Sequence, residues 1–360
     1  MMTYPIPLVP GPVSVPLKCR EAYMVNYGSS DLEEEFYMLL KENQELLQEV
    51  LKTKNSVTIQ SGEAMLILWG ALKSTVKPGD RVLSLSNGLF GHGFGEMARS
   101  IGAEVEILEA ADGEFVKTED LRAKLASFKP DLVTAVHCET PSGLLNPISE
   151  IAGIIRESGA LFCVDFVASA GGADVRVDEW GIDLGLLGSQ KCLSILPDIS
   201  VLTLSERAWQ TAERVGYAGY DAVLPWRDAI EKREMPCTHN WHANAALNIS
   251  LKALIDEGLE NSFKRHREVS SYCRSMVKEL GLSLYAADEK LSSPTVTAVK
   301  VPDGWTWKEL DSGLRSRGMA VGGSYGNLAG KVFRIGHMGT QADMDLVKRG
   351  MWILSEVLRK

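Results

Sequence analysis

The chain has 360 residues, is 45% hydrophobic and carries a formal net charge of -9. A chain of this length exceeds what one hydrophobic core usually fills, so we predict two domains. The acidic balance argues against binding to nucleic acid or to an anionic membrane surface. Because the sequence has neither a signal-peptide pattern at its start nor a run of about 18 apolar residues, we predict a cytoplasmic protein.

Six cysteines occur in the chain, without a CxxC pair and without the spacing of metal ligands. Several of them lie in apolar runs, which is typical of buried thiols in a reducing compartment. We therefore predict no metal site. Cys192 invites attention as a nucleophile because it neighbours Lys191, but adjacent residues on an ordered element seldom face the same site.

The first third of the chain predicts an extended segment followed by helices and a strand–turn–helix–strand unit. Residues 5–15 are proline-rich and should be extended, and residues 20–27 and 32–54 should be helical. Strands at 57–59 and 81–85 should then flank a helix at 64–72. The turn before that helix contains Ser61 and Gly62. Unpaired amides and a partial positive charge at the helix start suit a phosphate, although Ser61 is also a normal helix cap.

Two apolar runs in the middle of the chain, residues 161–164 and 184–187, read as buried parallel strands. Asp165 and Lys191 follow them, at the sheet edge where ligands bind in open α/β sheets. Pyridoxal phosphate requires a lysine for its aldehyde and an acid against its pyridine nitrogen. Taken singly, however, Lys191 reads as a solvated surface lysine and Asp165 as a helix cap.

The segment HCETPSG begins at His137, directly after a predicted strand at 131–136. His137 and Glu139 alternate on extended backbone, so they could form the acid–base pair of a hydrolase. No nucleophile motif such as GxSxG accompanies them. Beyond Lys191 we predict an antiparallel strand at 200–205, helices at 245–257 and 261–280, and strands at 295–301 and 332–335.

Several motifs together resemble the class V aminotransferases of fold type I, in particular their alanine/serine–glyoxylate branch. In chain order they are PGP at Pro10, SNGLFG at Ser86, HCETPSG at His137, VDFVAS at Val164, GSQK ending at Lys191 and FRIGHMG at Phe333. The resemblance implies an α/β fold-type I transferase with a large domain built on a mostly parallel seven-stranded sheet and a smaller α/β C-terminal domain. We expect an N-terminal extended segment at 1–20, the large cofactor-binding domain at 21–245 and the small domain at 246–360.

The resemblance also assigns roles to residues of this chain. Lys191 and Asp165 should be catalytic, and Arg334 and Gly11 should bind substrate, with Arg334 holding the α-carboxylate. The residues implied to bind pyridoxal 5'-phosphate are Ser61, Gly62, Glu63, Phe90, Thr140, Asp165, Val167, Gln190, Lys191 and Thr238. Phe90 should stack on the pyridine ring, and Thr238 should reach the phosphate of the partner subunit in a homodimer with shared active sites.

Two positions depart from the family pattern. Glu63 replaces a neutral residue or histidine, and a carboxylate beside a phosphate is repelled unless it points away or meets a cation. Met235 replaces a common tyrosine, so one phosphate contact is lost or replaced.

The implied activity is transfer of an amino group from alanine or serine to glyoxylate or pyruvate. Lys191 would form a Schiff base with the cofactor and then move the Cα proton, while Asp165 keeps the pyridine nitrogen protonated, with ping-pong kinetics. Ureidoglycine–glyoxylate or aminophosphonate transamination, or lyase or desulfurase chemistry on the same fold, are the alternatives. Gln190 before Lys191 and the lack of a cysteine after Cys273 argue against a desulfurase.

Overall fold

A computed structural model describes residues 4–359 of the chain. Within this part, fourteen strands run in chain order: Ile6–Pro7 (β1), Ser56–Ser61 (β2), Arg81–Ser86 (β3), Glu104–Glu109 (β4), Leu132–Val136 (β5), Cys138–Glu139 (β6), Leu144–Leu145 (β7), Leu161–Asp165 (β8), Leu184–Gly188 (β9), Ile199–Leu204 (β10), Val296–Lys300 (β11), Met319–Ala320 (β12), Gly322–Gly323 (β13) and Val332–Gly336 (β14).

Thirteen α-helices lie in the same described residues: Leu17–Ala22 (α1), Glu34–Leu51 (α2), Ala64–Thr75 (α3), Leu89–Ile101 (α4), Thr118–Phe128 (α5), Ile148–Ser158 (α6), Val177–Trp180 (α7), Glu206–Val215 (α8), Ala229–Lys232 (α9), Trp241–Glu257 (α10), Leu259–Glu279 (α11), Trp307–Ser316 (α12) and Met344–Leu358 (α13). Among these described helices none is both long enough and apolar enough to cross a lipid bilayer.

A seven-stranded sheet in the order β2-β10-β9-β8-β5-β3-β4 forms the centre of the fold. Six of its strands run in one direction, and β10 alone is antiparallel, to both β2 and β9. Successive residues of β8 belong to different core clusters, Leu161 to one and Phe162 to the other, so both faces of the sheet are covered. This burial on two sides is why the strand is apolar at consecutive positions. The predicted mostly parallel sheet is confirmed.

A second, three-stranded sheet has the order β11-β14-β13 and is antiparallel throughout. Its core includes Val299, Phe333 and Ile335, packed with apolar residues of α11 and α13. The N-terminal strand β1 pairs in parallel with β12, so the start of the described chain is held against the C-terminal part. The proposed domain boundaries at residues 20 and 245 remain predictions; residues 1–3 and 360 lie outside the described residues.

The first helix differs from its prediction at 20–27. It begins at Leu17, directly after Pro16, and ends at Ala22. Proline has no amide hydrogen and disfavours helical geometry in the residue before it, so it suits a helix start, and this signal should have placed the boundary. Residues 17–20 are consequently helical, not extended. The strands predicted at 57–59, 81–85, 131–136 and 200–205 match β2, β3, β5 and β10 to within two residues at each end.

Candidate active site

The carboxyl ends of β2, β3, β5, β8 and β9 meet at one edge of the large sheet and surround a cavity of about 140 Å³. Seven of the predicted cofactor-binding residues line this cavity: Glu63, Phe90, Thr140, Asp165, Val167, Gln190 and Lys191. They come from five separate stretches of the chain. Ser61, Gly62, Thr238, Gly11 and Arg334 do not line it, although the last two lie close to Lys191, as described below.

Lys191 follows β9 and is partly buried at the cavity. Its ammonium nitrogen Nζ donates a hydrogen bond to the Pro10 carbonyl at 2.5 Å. Burial, and then the charge of Arg334, lower the pKa of Lys191 to about 8. A lysine with such a pKa is a stronger source of free amine near neutral pH than a solvated lysine, as a nucleophile and base requires. The surface-lysine interpretation does not fit this setting.

Asp165 is the last residue of β8 and is buried. Its Oδ1 accepts a hydrogen bond from the Val167 amide at 2.7 Å. Burial raises the pKa of Asp165 to about 7, because desolvating a carboxylate is costly and the Val167 hydrogen bond and the Lys191 charge offset only part of that cost. No donor among the described residues reaches Oδ2, so this oxygen is available to a cationic N–H group. A pyridinium nitrogen is such a group.

Glu139 has a structural role that the sequence did not indicate. Its carboxylate is fully buried and accepts hydrogen bonds from the amides of Phe90 and Gly91 at 3.1 and 3.0 Å. The residue that precedes α4, Gly88, has no capping side chain, and a Cβ there would lie 2.5 Å from Glu139 Cγ. Glu139 therefore caps α4 from another segment and fixes the turn that presents the Phe90 ring to the cavity.

His137 and Glu139 do not form the acid–base pair of the rival hydrolase hypothesis. The His137 Nδ1 atom lies 2.9 Å from the Ser169 hydroxyl, and its ring packs edge-on against Phe166 and Trp180. Burial lowers the pKa of His137 to about 3, so the ring is neutral. The hydrolase alternative is not supported, because the backbone bends at His137 after β5 and the two side chains contact different elements.

Arg334 lies on β14 with 3% of its surface exposed. Its Nε and Nη2 atoms donate to the Gly323 carbonyl at 2.8 and 2.5 Å, and its guanidinium carbon lies 4.7 Å from the centre of the Tyr325 ring. The Nη1 atom makes only a long contact of 3.5 Å to the Thr140 carbonyl. One edge of the guanidinium is thus fixed, while the Nη1–Nη2 edge remains able to bind a carboxylate through two parallel hydrogen bonds.

The segment Pro10–Gly11 lies next to Lys191 and near Arg334. Gly11 has a φ of +93°, and a Cβ at this position would come within 2.6 to 2.9 Å of the Lys191 side chain. A Cβ on Gly322 would lie 2.7 Å from Pro10 Cδ and 3.3 Å from Arg334 Nη2. Only glycine at position 11 permits this close approach without strain. Lys191 therefore packs against the N-terminal segment, and Arg334 lies close enough for its charge to lower the pKa of Lys191.

At the phosphate end of the predicted site, Ser61 and Glu63 make contacts that the sequence did not indicate. Glu63 lines the cavity, and its carboxylate accepts from the Met65 amide at 2.8 Å and from the Gln190 side-chain amide. Ser61 instead contacts His239 at 3.0 Å and accepts from the Asn240 amide. Thr238 is exposed in the single chain. The Ser61–His239 and Glu63–Gln190 contacts could not be predicted from the local sequence, because the two residues of each pair are far apart in the chain.

Comparisons with known proteins agree with this geometry. The family model described as aminotransferase class-V matches residues 14–334. The chain belongs to the class-V aminotransferases. As a member of this class it is a transaminase that depends on pyridoxal phosphate. The carboxylate of Asp165 and the amine of Lys191 are the groups that would hold the ring nitrogen and the aldehyde of this cofactor.

The chain is similar to alanine–glyoxylate aminotransferase of Callithrix jacchus, with 33% identity over 96% of this chain and 86% of that one. It is also similar to pyridoxamine–pyruvate transaminase of Mesorhizobium japonicum, with 31% identity over 87% and 81% of the two chains. A crystal structure of alanine–glyoxylate aminotransferase from Nostoc sp. superposes with a TM-score of 0.95 and 32% identity, covering 100% of this chain and 96% of that chain.

Proposed function

We propose that this class-V aminotransferase moves the amino group of alanine or serine to glyoxylate or pyruvate. The observation that carries the proposal is the Nη1–Nη2 edge of Arg334, where Nη1 makes only a long contact to the Thr140 carbonyl and where the arginine charge is near enough to lower the pKa of Lys191. An arginine edge of this kind selects a planar carboxylate, which every α-amino acid and 2-oxo acid carries. Relatives whose names include alanine and glyoxylate support the choice of small substrates.

Each residue of the site contributes a distinct step. When bound, pyridoxal phosphate supplies an electron-accepting ring and the carbon that carries the amino group between the half-reactions. Arg334 orients the substrate by its α-carboxylate. The amine of Lys191 removes the proton from Cα of the substrate, as its lowered pKa allows. The same amine would deliver a proton to the cofactor carbon that carries the amino group.

Asp165 and Phe90 support this proton transfer. The Oδ2 atom of Asp165 would hold a proton at the pyridine nitrogen of the cofactor, because a buried carboxylate is stabilised by a neighbouring cation. The Phe90 ring, positioned by the Glu139 cap, packs against a flat ligand face.

A desulfurase or lyase function is less well supported. Cys138 lines the cavity and Cys192 neighbours Lys191, but burial raises the pKa of these thiols to about 11 and about 12. Both sulfurs are therefore protonated thiols, whereas the nucleophilic form is the thiolate. Ureidoglycine and aminophosphonates stay as alternative donors, the first because a similar protein of Bacillus subtilis is named (S)-ureidoglycine–glyoxylate transaminase.

We also propose a cytoplasmic homodimer with shared active sites. Thr238 is exposed and does not line the cavity of its own chain, which agrees with a role toward a partner subunit. An isologous pair would place each Thr238 near the other site. All six cysteines are free thiols, which agrees with a reducing compartment. Sedimentation with a mixed-variant complementation assay would test the shared site.

Replacing Arg334 by lysine tests the carboxylate assignment. The KM values for the amino acid and for the 2-oxo acid should both rise, by about 10-fold or more, since the paired hydrogen bonds to the carboxylate are lost. Steady-state kinetics with alanine and glyoxylate would measure the change. The exposed Arg349, replaced by lysine in the same way, serves as the matched control. Unchanged KM values in Arg334→Lys would mean that the carboxylate binds elsewhere.

A further inference from the structure

The side-chain carboxylate of Glu63 lies at the N-terminal end of α3. Glu63 Oε2 accepts a hydrogen bond from the Met65 amide at 2.8 Å, and Glu63 Oε1 accepts one from the Gln190 side chain. The start of a helix is the usual place for a bound phosphate because its amides are unpaired and its dipole end is positive. Here a carboxylate occupies that place.

The two residues before Glu63 make contacts within their own chain. The Gly62 amide donates to the Asp198 carbonyl at 2.8 Å. His239 Nε2 lies 2.8 Å from the Ile59 carbonyl, which assigns the ring proton to Nε2 and leaves Nδ1 as an acceptor. Two groups face this acceptor, the Ser61 hydroxyl at 3.0 Å and the side-chain amide of Asn244 at 3.1 Å. Burial lowers the pKa of His239 to about 4, so the ring is neutral and offers no positive charge.

The charges around the cavity disfavour a further anion. Among the described residues that line it, Lys191 is the only cation, whereas Glu63 and Asp165 are both carboxylic acids. A phosphate monoester carries about two negative charges at neutral pH. Bringing it next to Glu63 in a partly desolvated cavity would cost Coulomb energy, and Lys191 is the single cation among the described lining residues that could offset it.

Gln190 provides a separate observation that points to a neutral group. Its side-chain amide nitrogen faces Glu63, so the orientation of the amide is fixed, and its Oε1 is buried without a hydrogen-bond partner. A buried acceptor of this kind is completed by a donor from a ligand. A phosphate dianion brings only acceptors. A hydroxymethyl group, which replaces the phosphate ester in the unphosphorylated vitamer, brings an O–H donor.

We propose that this cavity preferentially takes the unphosphorylated pyridine vitamer, and that its amine form, pyridoxamine, serves as an amino donor to a 2-oxo acid. The inference rests on the proposed function, because Lys191, Asp165 and Arg334 keep their roles. The amino nitrogen leaves the C4' carbon of pyridoxamine and bonds to the oxo carbon, and the oxygen passes to C4' through water. C4' loses two electrons and the oxo carbon gains two, so pyridoxal and an amino acid form without an added oxidant.

Binding measured by calorimetry on the full chain, stripped of vitamers, tests the preference directly. Pyridoxamine should bind at least about 10-fold more tightly than pyridoxamine 5'-phosphate. In Glu63→Gln, which removes the charge, the affinity for the phosphorylated form should rise about 10-fold relative to pyridoxamine. Glu104→Gln changes an exposed carboxylate on β4 and should leave the ratio unaltered. The inference would be overturned if the wild type bound pyridoxamine 5'-phosphate more tightly than pyridoxamine and if Glu63→Gln left the ratio of the two affinities unchanged.

Turnover separates this inference from the proposed function. Pyridoxal and alanine formed from pyridoxamine and pyruvate would support the inference, whether or not the enzyme with pyridoxal phosphate converts alanine and glyoxylate. Turnover of alanine and glyoxylate with pyridoxal phosphate, without any reaction of pyridoxamine, would overturn the inference and leave the proposed function intact. Loss of both reactions would overturn both.

Discussion

Replacing Lys191 by alanine is expected to abolish transamination while the fold stays intact. The side chain makes one hydrogen bond, to the Pro10 carbonyl, and stands at the cavity and not in the hydrophobic core. Its removal takes away both the covalent attachment point and the base that moves the Cα proton. Because a positioned general base alone contributes 100-fold to 10,000-fold, we expect a loss of at least about 1,000-fold in kcat.

The same variant should keep the circular dichroism spectrum and the melting temperature of the wild type within a few degrees. Lys331, an exposed lysine before β14, gives a matched control when replaced by alanine, and this control should retain full activity. Turnover that persists in Lys191→Ala, after cofactor and substrate have been supplied, would show that another group is the base.

The second large effect is expected for Asp165→Asn. Asparagine keeps the shape of the side chain and the hydrogen bond from the Val167 amide, but it cannot carry the negative charge that holds a proton at the pyridine nitrogen. The kcat should therefore fall by about 100-fold, as for other lost electrostatic contributions to a transition state. Cofactor affinity should change much less, because the ring still packs against Phe90 and Val167.

Steady-state kinetics together with cofactor titration would distinguish these two quantities. Asp303→Asn, at an exposed position, is the matched control for the change from carboxylate to amide. If Asp165→Asn turns over near the wild-type rate, the electronic role assigned to Asp165 is wrong. A loss of cofactor affinity that fully accounts for the lower rate would equally contradict it.

The central sheet was predictable because its strands carry an unambiguous pattern. In β8 and β9, consecutive apolar residues are required by burial on both faces, and the polar residues Asp165 and Lys191 follow where the strands end. A polar residue just past a buried parallel strand can only lie at the ligand-binding edge. The positions of the two residues in one cavity therefore followed from the local sequence.

The hydrogen-bond partners of several site residues could not be predicted, because these partners are distant in the sequence. Glu139 was read with its neighbour His137, yet its partners are the amides of α4, 48 and 49 residues away. Ser61 was predicted to be part of a phosphate site, and in the fold its hydroxyl lies 3.0 Å from His239, 178 residues away. Glu63 was recognised as a departure, although its direction depends on Gln190 across the cavity. Such pairings arise from the folded arrangement of the strands, not from local propensity.

The most direct test of the central claim is the absorbance of the protein with its cofactor, recorded before and after L-alanine and then after glyoxylate. Transamination through Lys191 predicts a yellow band that bleaches with alanine and returns with glyoxylate, because the amino group is first taken up and then passed on. A yellow band that neither substrate moves would contradict the proposed donor and acceptor. A protein that stays colourless with pyridoxal phosphate and with pyridoxal would contradict the assignment of the lysine itself.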